Sequence, residues 1–164
     1  MVGKERVKKN TNYFQIIINQ HIKIVIHINF NFMKNPNNPC LFCIMKEGGY
    51  AHENNLAYAS FDTYPVSKDH CLIIPKRHIK DHFDMNNDEL IACNDLIKIV
   101  KKEILVQDQS VKGFNLGTNI GKVSGQSIFH CHLHLIPRRE HDVENPQGGV
   151  RSVIPNKQHY KRKI

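Results

Sequence analysis

The run His130-Cys131-His132-Leu133-His134-Leu135-Ile136-Pro137 constrains this 164-residue chain more than any other feature. Three histidines alternate with apolar residues. In a β-strand, successive side chains point to opposite faces. The run therefore predicts a strand with His130, His132 and His134 on one face and Cys131, Leu133 and Leu135 on the other. A helix would scatter the same residues around its circumference. Three imidazoles on one face are costly to bury without partners. They are useful where a phosphate, a metal or a proton is handled.

The rest of the chain alternates strand and helix patterns. Asn54–Phe61 and Cys71–Pro75 read as neighbouring strands joined through a turn at Pro65. Asn86 followed by Glu89 has the form of a capping box. Leu90, Ile97, Val100 and Ile104 then recur at helical spacing and predict a helix over 88–106. Phe114–Thr118 and Phe129–Pro137 read as strands flanking a loop, Asn119–Ser127, that contains Gly121 and Gly125. The order predicts a compact α+β domain with an antiparallel sheet and one long helix packed on it. No internal repeat is visible.

Residues 1–32 differ in character. They combine a basic start with an Ile-, Asn- and Phe-rich stretch that polar residues interrupt before it reaches transmembrane length. They read as a leader, disordered or non-native, with the domain proper spanning 33–145 and a C-terminal extension over 146–164. The net charge is +8, and half of it sits in residues 1–32, which hold five basic residues and one acidic. A basic chain suits anionic ligands such as nucleotides. No dense basic run interleaved with aromatics is present, which argues against nucleic acid as a partner. The five cysteines are odd in number and only Cys40 and Cys43 are closely spaced. That pattern is not a secreted disulfide framework and fits a reducing, cytoplasmic compartment.

Several motifs in fixed order give the chain a family resemblance. Gly125-Gln126-Ser127-Ile128-Phe129 leads into the alternating histidines. Upstream, Asp69-His70-Cys71-Leu72-Ile73-Ile74-Pro75-Lys76-Arg77-His78-Ile79 follows Phe61-Asp62-Thr63-Tyr64-Pro65. Together these resemble the histidine triad (HIT) family of nucleotide hydrolases and transferases over roughly Cys40 to Pro155. The tail Asn145–Pro155 resembles an extension of bacterial-type members related to diadenosine tetraphosphate hydrolases. The resemblance implies a HIT-like fold, a homodimer, and a two-step reaction. His132 would attack the α-phosphorus of a nucleotide, and water would release the nucleotidyl group from the histidine. Neutral imidazole is a competent nucleophile near pH 7.

By the same resemblance His134 would contact the α-phosphate, His130 would complete the triad, and His70 would support it. Asn119, Gln126 and Ser127 would bind substrate from the glycine-bearing loop, and Asp62 would accept from the ribose hydroxyls. Arg138, Arg139 and Arg151 are candidates for reaching distal phosphates, because guanidinium matches phosphate geometry. Cys40 and Cys43, three positions apart, can share a tetrahedral zinc if two further ligands arrive. In a subset of the family those positions correspond to His78 and His130, and the zinc would be structural. No nicotinamide, flavin or haem signature is present. Two other readings stay open at this stage: a nucleotide-binding regulatory module with slow hydrolysis, and a hydrolase of adenylated nucleic-acid ends.

Overall fold

A computed structural model describes residues 40–45 and 51–160 of the chain. The expected leader, residues 1–32, lies outside the described residues. Short helix α1 (Leu41–Met45) is followed by strands β1 (His52–Glu53), β2 (Ala57–Phe61) and β3 (Cys71–Pro75). Helix α2 (Asn87–Gln107) and strands β4 (Val111–Gly117) and β5 (Leu133–Arg139) complete the core. The five strands form one sheet in the order β1-β2-β3-β5-β4. Every pairing is antiparallel.

Helix α2 starts where the sequence announces it. The Asn86 side chain accepts from the Glu89 N–H at 2.9 Å, and Glu89 accepts in return from the Asn86 N–H at 2.9 Å. Two otherwise orphaned donors are thereby satisfied. Glu89 is buried, and Arg77 binds both of its carboxylate oxygens, at 2.7 and 2.8 Å. The same guanidinium donates to the Asp84 carbonyl. The segment that carries His78 is therefore tied to the start of the long helix. That pairing holds the Glu89 carboxyl below its usual range.

The buried stripe of α2 is Cys93, Leu96, Val100 and Ile104, with Leu90 and Ile97 on its flanks. The expected stripe was Leu90, Ile97, Val100 and Ile104: Val100 and Ile104 lie on the buried line, and Leu90 and Ile97 pack partly buried at its edge, where Cys93 and Leu96 take the centre. It packs on Ala57, Ala59, Cys71, Ile73, Leu133 and Leu135. Alanines at 57 and 59 leave room for the larger side chains of α2.

Two other expectations shift for local reasons. Residues 54–56 turn rather than extend. The Asn54 side chain accepts from the Leu56 and Ala57 N–H groups and donates to the Ala92 carbonyl, so the strand opens at Ala57. The second difference is at the histidine run. Strand β5 begins at Leu133, and His130 and His132 precede it. Register between β3 and β5 covers only Cys71–Ile73 against Leu133–Leu135. Beyond it, Pro75 has no N–H to offer. Its carbonyl is taken by His130 Nε2 at 2.8 Å, and the Cys131 N–H turns to the Ile79 carbonyl at 2.7 Å.

The two faces of the sheet have distinct tasks. Ala57, Ala59, Cys71, Ile73, Leu133 and Leu135 face α2. Tyr58, Leu72 and Ile74 face the other way and pack with Phe42 of α1. The Tyr58 hydroxyl donates to the Phe42 carbonyl at 2.6 Å and fixes α1 on that face. His134 is registered opposite Leu72 and belongs to this second face. A bulge between Val111 and Gly113 shifts the parity of β4, so that Phe114 joins the helix-side core and Asn115 the opposite face.

Candidate active site and metal centre

The site grows from backbone carbonyls that fix imidazole tautomers. A carbonyl oxygen can only accept. His132 Nδ1 lies 2.8 Å from the His130 carbonyl and therefore donates to it. Its Nε2 is left with the lone pair. Thr118 Oγ1, one residue past the end of β4, donates to the His132 carbonyl at 2.7 Å and holds the backbone of this residue. Phe42 stacks edge-on against His132, with ring centroids 5.0 Å apart. The His132 ring is thus held on two sides and oriented on a third.

His134 sits beside it, with ring centroids 5.1 Å apart. Its Nδ1 is 3.0 Å from His70 Nε2. The Val66 N–H donates to His70 Nδ1. His70 therefore donates from Nε2 to His134 Nδ1, and His134 keeps its Nε2–H as an outward donor. Asp62 Oδ2 is 3.4 Å from His70 Nδ1 and acts on it through charge. Burial lowers the pKa of His70, and Asp62 opposes that shift. Burial, then the neighbouring His132 and His70, push His134 down to about 4, again against Asp62. The pair is neutral at pH 7. Incoming negative charge would accept a hydrogen bond from His134 Nε2–H and raise the affinity of the pair for a proton.

The four residues expected to bind substrate separate into three kinds. Asn119 and Ser127 stand in the loop between β4 and β5, half-buried and exposed respectively, without a side-chain hydrogen bond among the described residues. Asp62 is mostly buried; its Oδ1 accepts from the Tyr64 N–H at 2.8 Å and its Oδ2 faces His70. Gln126 points into the loop. It is buried, its amide donates to the Lys80 and Ile128 carbonyls, and its oxygen accepts from the Gly121 N–H. Its side-chain amide thus ties Gly121 and Ile128 of this loop to Lys80. The loop turns at Gly121 and Gly125, whose φ of 81° and 88° glycine adopts without the strain a side chain would bring.

The arginines expected to reach distal phosphates are also otherwise engaged. Arg138 grips Asp142 with two nitrogens, at 2.7 and 2.8 Å, and Asn115 with a third. Arg139 donates to Asp108, Asp69, Ser110 and the Lys68 carbonyl. Arg151 lies over the Tyr160 ring and donates to the Lys157 carbonyl.

Cys40, Cys43, His78 and His130 converge behind the triad, with one donor atom from each within 4.8 Å of the others. His130 Nδ1 is 3.3 Å from Cys40 Sγ and 3.5 Å from Cys43 Sγ, and His78 Nδ1 is 3.3 Å from Cys43 Sγ. Tetrahedral zinc with its usual bond lengths spaces sulfur and nitrogen about 3.5 Å apart. The Pro75 carbonyl holds the proton on His130 Nε2. The Nδ1 lone pair therefore aims at the cysteines, as a ligand with a carbonyl behind it does. The donor set fits a closed structural site.

Sequence reasoning missed Phe42, Thr118 and the carbonyls of Pro75 and Ile79. Phe42 lies between the two cysteines, and that position was its one available signal. Backbone carbonyls leave no mark in residue identity.

The sequence pattern of the HIT domain matches residues 33–141. The chain belongs to the HIT family. A HIT-like protein of Methanocaldococcus jannaschii is 37% identical over 120 residues, covering 70% of this chain and 91% of that protein. The adenylylsulfatase HINT3 of Arabidopsis thaliana is 34% identical over 64% of this chain and 55% of its own length. The adenosine 5'-monophosphoramidase hnt1 of Schizosaccharomyces pombe is 30% identical, over 60% of this chain and 74% of its own. Among solved structures, a histidine triad nucleotide-binding protein from Sulfolobus tokodaii aligns with TM-score 0.57 and 37% identity, covering 63% of this chain and 71% of that one. A zinc-bound HIT protein from Mycobacterium smegmatis aligns with TM-score 0.57 and 27% identity, over 63% and 77%. The α+β HIT fold expected from the sequence is the fold observed.

Proposed function

We propose that this HIT protein hydrolyses nucleotides at the α-phosphorus through a nucleotidyl group carried on His132. The observation that carries the reading is the 2.8 Å bond from His132 Nδ1 to the His130 carbonyl, which leaves Nε2 as the nucleophile. In the first step Nε2 forms a bond to phosphorus, and the bond from phosphorus to the leaving nitrogen or oxygen breaks. In the second, water attacks the same phosphorus, the P–Nε2 bond breaks, and the nucleoside monophosphate leaves. His134 Nε2–H and the side chains of Asn119 and Ser127 donate to the phosphoryl oxygens as charge builds. Asp62, beside His70, takes the ribose hydroxyls.

Phosphoramidates and mixed anhydrides of a nucleoside monophosphate are the leading substrates, supported by the adenylylsulfatase and the adenosine 5'-monophosphoramidase among the relatives. Dinucleoside polyphosphates are the alternative. Zinc held by Cys40, Cys43, His78 and His130 would clamp α1 to the triad and supply no reacting group. The zinc-bound relative supports this assignment. A homodimer would cover Ile91, Ile99 and Val106, which α2 leaves exposed. The odd number of cysteines and the absence of a disulfide framework in their spacing support a cytoplasmic location, and no described helix is long and apolar enough to cross a membrane.

The test is product release from adenosine phosphoramidate, diadenosine tetraphosphate and ADP by the wild type and His132→Ala. Adenosine monophosphate from the wild type alone supports the reading. Binding without turnover of any substrate replaces it with a nucleotide-binding module.

A further inference from the structure

Two groups compete for Nδ1 of His70. The Val66 N–H lies 3.4 Å from it and needs a lone pair there. Asp62 Oδ2 also lies at 3.4 Å and would be better served by a proton. A neutral imidazole has one donor nitrogen and one acceptor, so only one of the two can be satisfied. The outcome sets the direction of the next bond, the 3.0 Å contact between His70 Nε2 and His134 Nδ1.

On residue identity alone Asp62 has the advantage, because a bond to a carboxylate is stronger than one from an amide to a neutral ring. The amide prevails only while the loop between β2 and β3 is held against the ring. That loop is held from β5, the strand that also carries His134. Ser67 Oγ donates to the Pro137 carbonyl at 2.8 Å. Arg139 donates to the Lys68 carbonyl at 3.2 Å and faces the Asp69 carboxylate at 3.4 Å.

Arg139 is itself anchored just past the end of α2. It donates to Asp108 at 2.9 Å and to Ser110 at 3.2 Å. Hydrogen bonds from Ser110, then from Arg139 and Lys68, hold the Asp108 carboxyl well below its usual range, so the anchor stays charged. Between the two tethers the chain passes through Asp69 at φ 66°, the left-handed region that a side chain disfavours. That turn returns the His70 N–H to the Ser67 carbonyl at 3.1 Å. A loop bent in this way relaxes once its tethers are cut.

We propose that Arg139 and Ser67 are positioning residues that lock the tautomers of the His70–His134 pair. They clamp the loop to β5 and so keep the Val66 N–H on His70 Nδ1. The His70 proton then stays on Nε2, and the His134 proton stays on its own Nε2. With the clamp open, the His70 proton moves to Nδ1, toward Asp62, and His70 Nε2 becomes an acceptor. The His134 proton moves to Nδ1 to meet it. Each ring keeps one proton, but His134 now turns a lone pair toward the phosphoryl oxygens. The consequence for phosphate rests on the hydrolase reading; the tautomers do not.

The test uses full-length protein with ¹⁵N-labelled histidine at pH 7.5, where ring nitrogen resonances report which nitrogen carries the proton. In the wild type His70 and His134 should both be Nε2–H. In the double variant Ser67→Ala/Arg139→Gln both should become mainly Nδ1–H, while His132 stays Nδ1–H on its own carbonyl. Ser67→Ala alone leaves the ion pairs in place and should shift the pair partway. The double variant should lose roughly tenfold or more in kcat/KM for adenosine phosphoramidate, as expected when a donor to the developing charge is lost. Leu96→Ala, a stability control on the helix face, should keep the wild-type tautomers and the rate per folded molecule. The proposal is overturned by Nδ1–H on His70 in the wild type, or by wild-type tautomers in a folded double variant. If the double variant does not fold, unchanged tautomers in Ser67→Ala overturn it. A shift of the same kind in Leu96→Ala, or a shift that leaves kcat/KM unchanged in an active enzyme, also overturns it. Tautomers that shift as proposed in a protein whose wild type releases no adenosine monophosphate would keep the lock and remove the hydrolase reading.

Discussion

The two faces of the sheet are made by the same strands and do opposite things. The face under α2 is closed and uniformly apolar: Ala57, Ala59, Ile73 and Leu135 meet Leu96 and Val100, and all are essentially inaccessible. The other face carries His132, His134, the Cys40–Cys43–His78–His130 cluster and an open cavity. Alternation along each strand lets one residue hold the fold while its neighbour handles chemistry. Cys131 and Leu133 anchor the run, and His132 and His134 are thereby aimed. The lesson is separability: damage to the helix face should cost stability, and damage to the histidine face should cost activity.

The largest effect tests the histidine face. His132→Ala should lower kcat by about a thousandfold or more while the thermal midpoint moves little. Steady-state rates beside a melting curve check both halves. On the helix face, Leu96→Ala should destabilise the protein by about 2–5 kcal/mol through lost burial and a residual cavity. Denaturant unfolding measures this, and the rate per folded molecule should be nearly unchanged. A drop in rate as large as that of His132→Ala would break the separation.

How much of this division the sequence shows depends on what each residue type can report. Alternation at 130–135 was legible because histidine is conspicuous among leucines. The capping box at Asn86 and Glu89 was legible because it is a local rule. The start of β5 was not, because it is set by Pro75, some 55 residues away in the chain, through a missing N–H and an occupied carbonyl. That Cys93 and Leu96 take the centre of the buried line of α2, with Leu90 and Ile97 at its edge, was not, because it depends on which residues of the sheet the helix meets. Gln126 and the arginines were assigned to ligands on their chemistry, but their neighbours in space already satisfy them. The short 3-10 helix Gly149–Val153 gave no periodic signal, since it is only five residues long and opens at Gly148, whose φ is 72°.

Smaller effects sharpen the comparison. The Cys40–Cys43–His78–His130 cluster joins the two functions, so Cys43→Ala or, with zinc held there as proposed, a strong chelator should lower the thermal midpoint and, with α1 loosened, the activity as well. Calorimetry with and without chelator reads this. A midpoint indifferent to both would assign the cysteines no clamping role.

The histidine face also makes stability depend on pH. His134 is pushed down to about 4 from its ordinary value, and His70 is lowered too. Between these folded values and about 6.5 the unfolded chain binds more protons than the folded one. Stability should therefore be fully present above pH 6.5 and fall as pH drops toward 4, by about 2 kcal/mol for His134. Unfolding curves from pH 7.5 to 4.5 check the sign, and His134→Gln should flatten the slope. The smallest change is Asn86→Ala, which removes the cap of α2 and should cost about 1 kcal/mol with no effect on substrate preference.

The most direct measurement of the central claim is the site of covalent attachment during turnover. Wild-type protein mixed with excess adenosine phosphoramidate, quenched at alkaline pH and digested with trypsin, yields a peptide spanning Val123–Arg138 that contains all three triad histidines. The account predicts an adenylyl group on that peptide, located by fragmentation at His132, and none in His132→Ala. Steady release of adenosine monophosphate with the label on His134, or with no label at any time point, would contradict it.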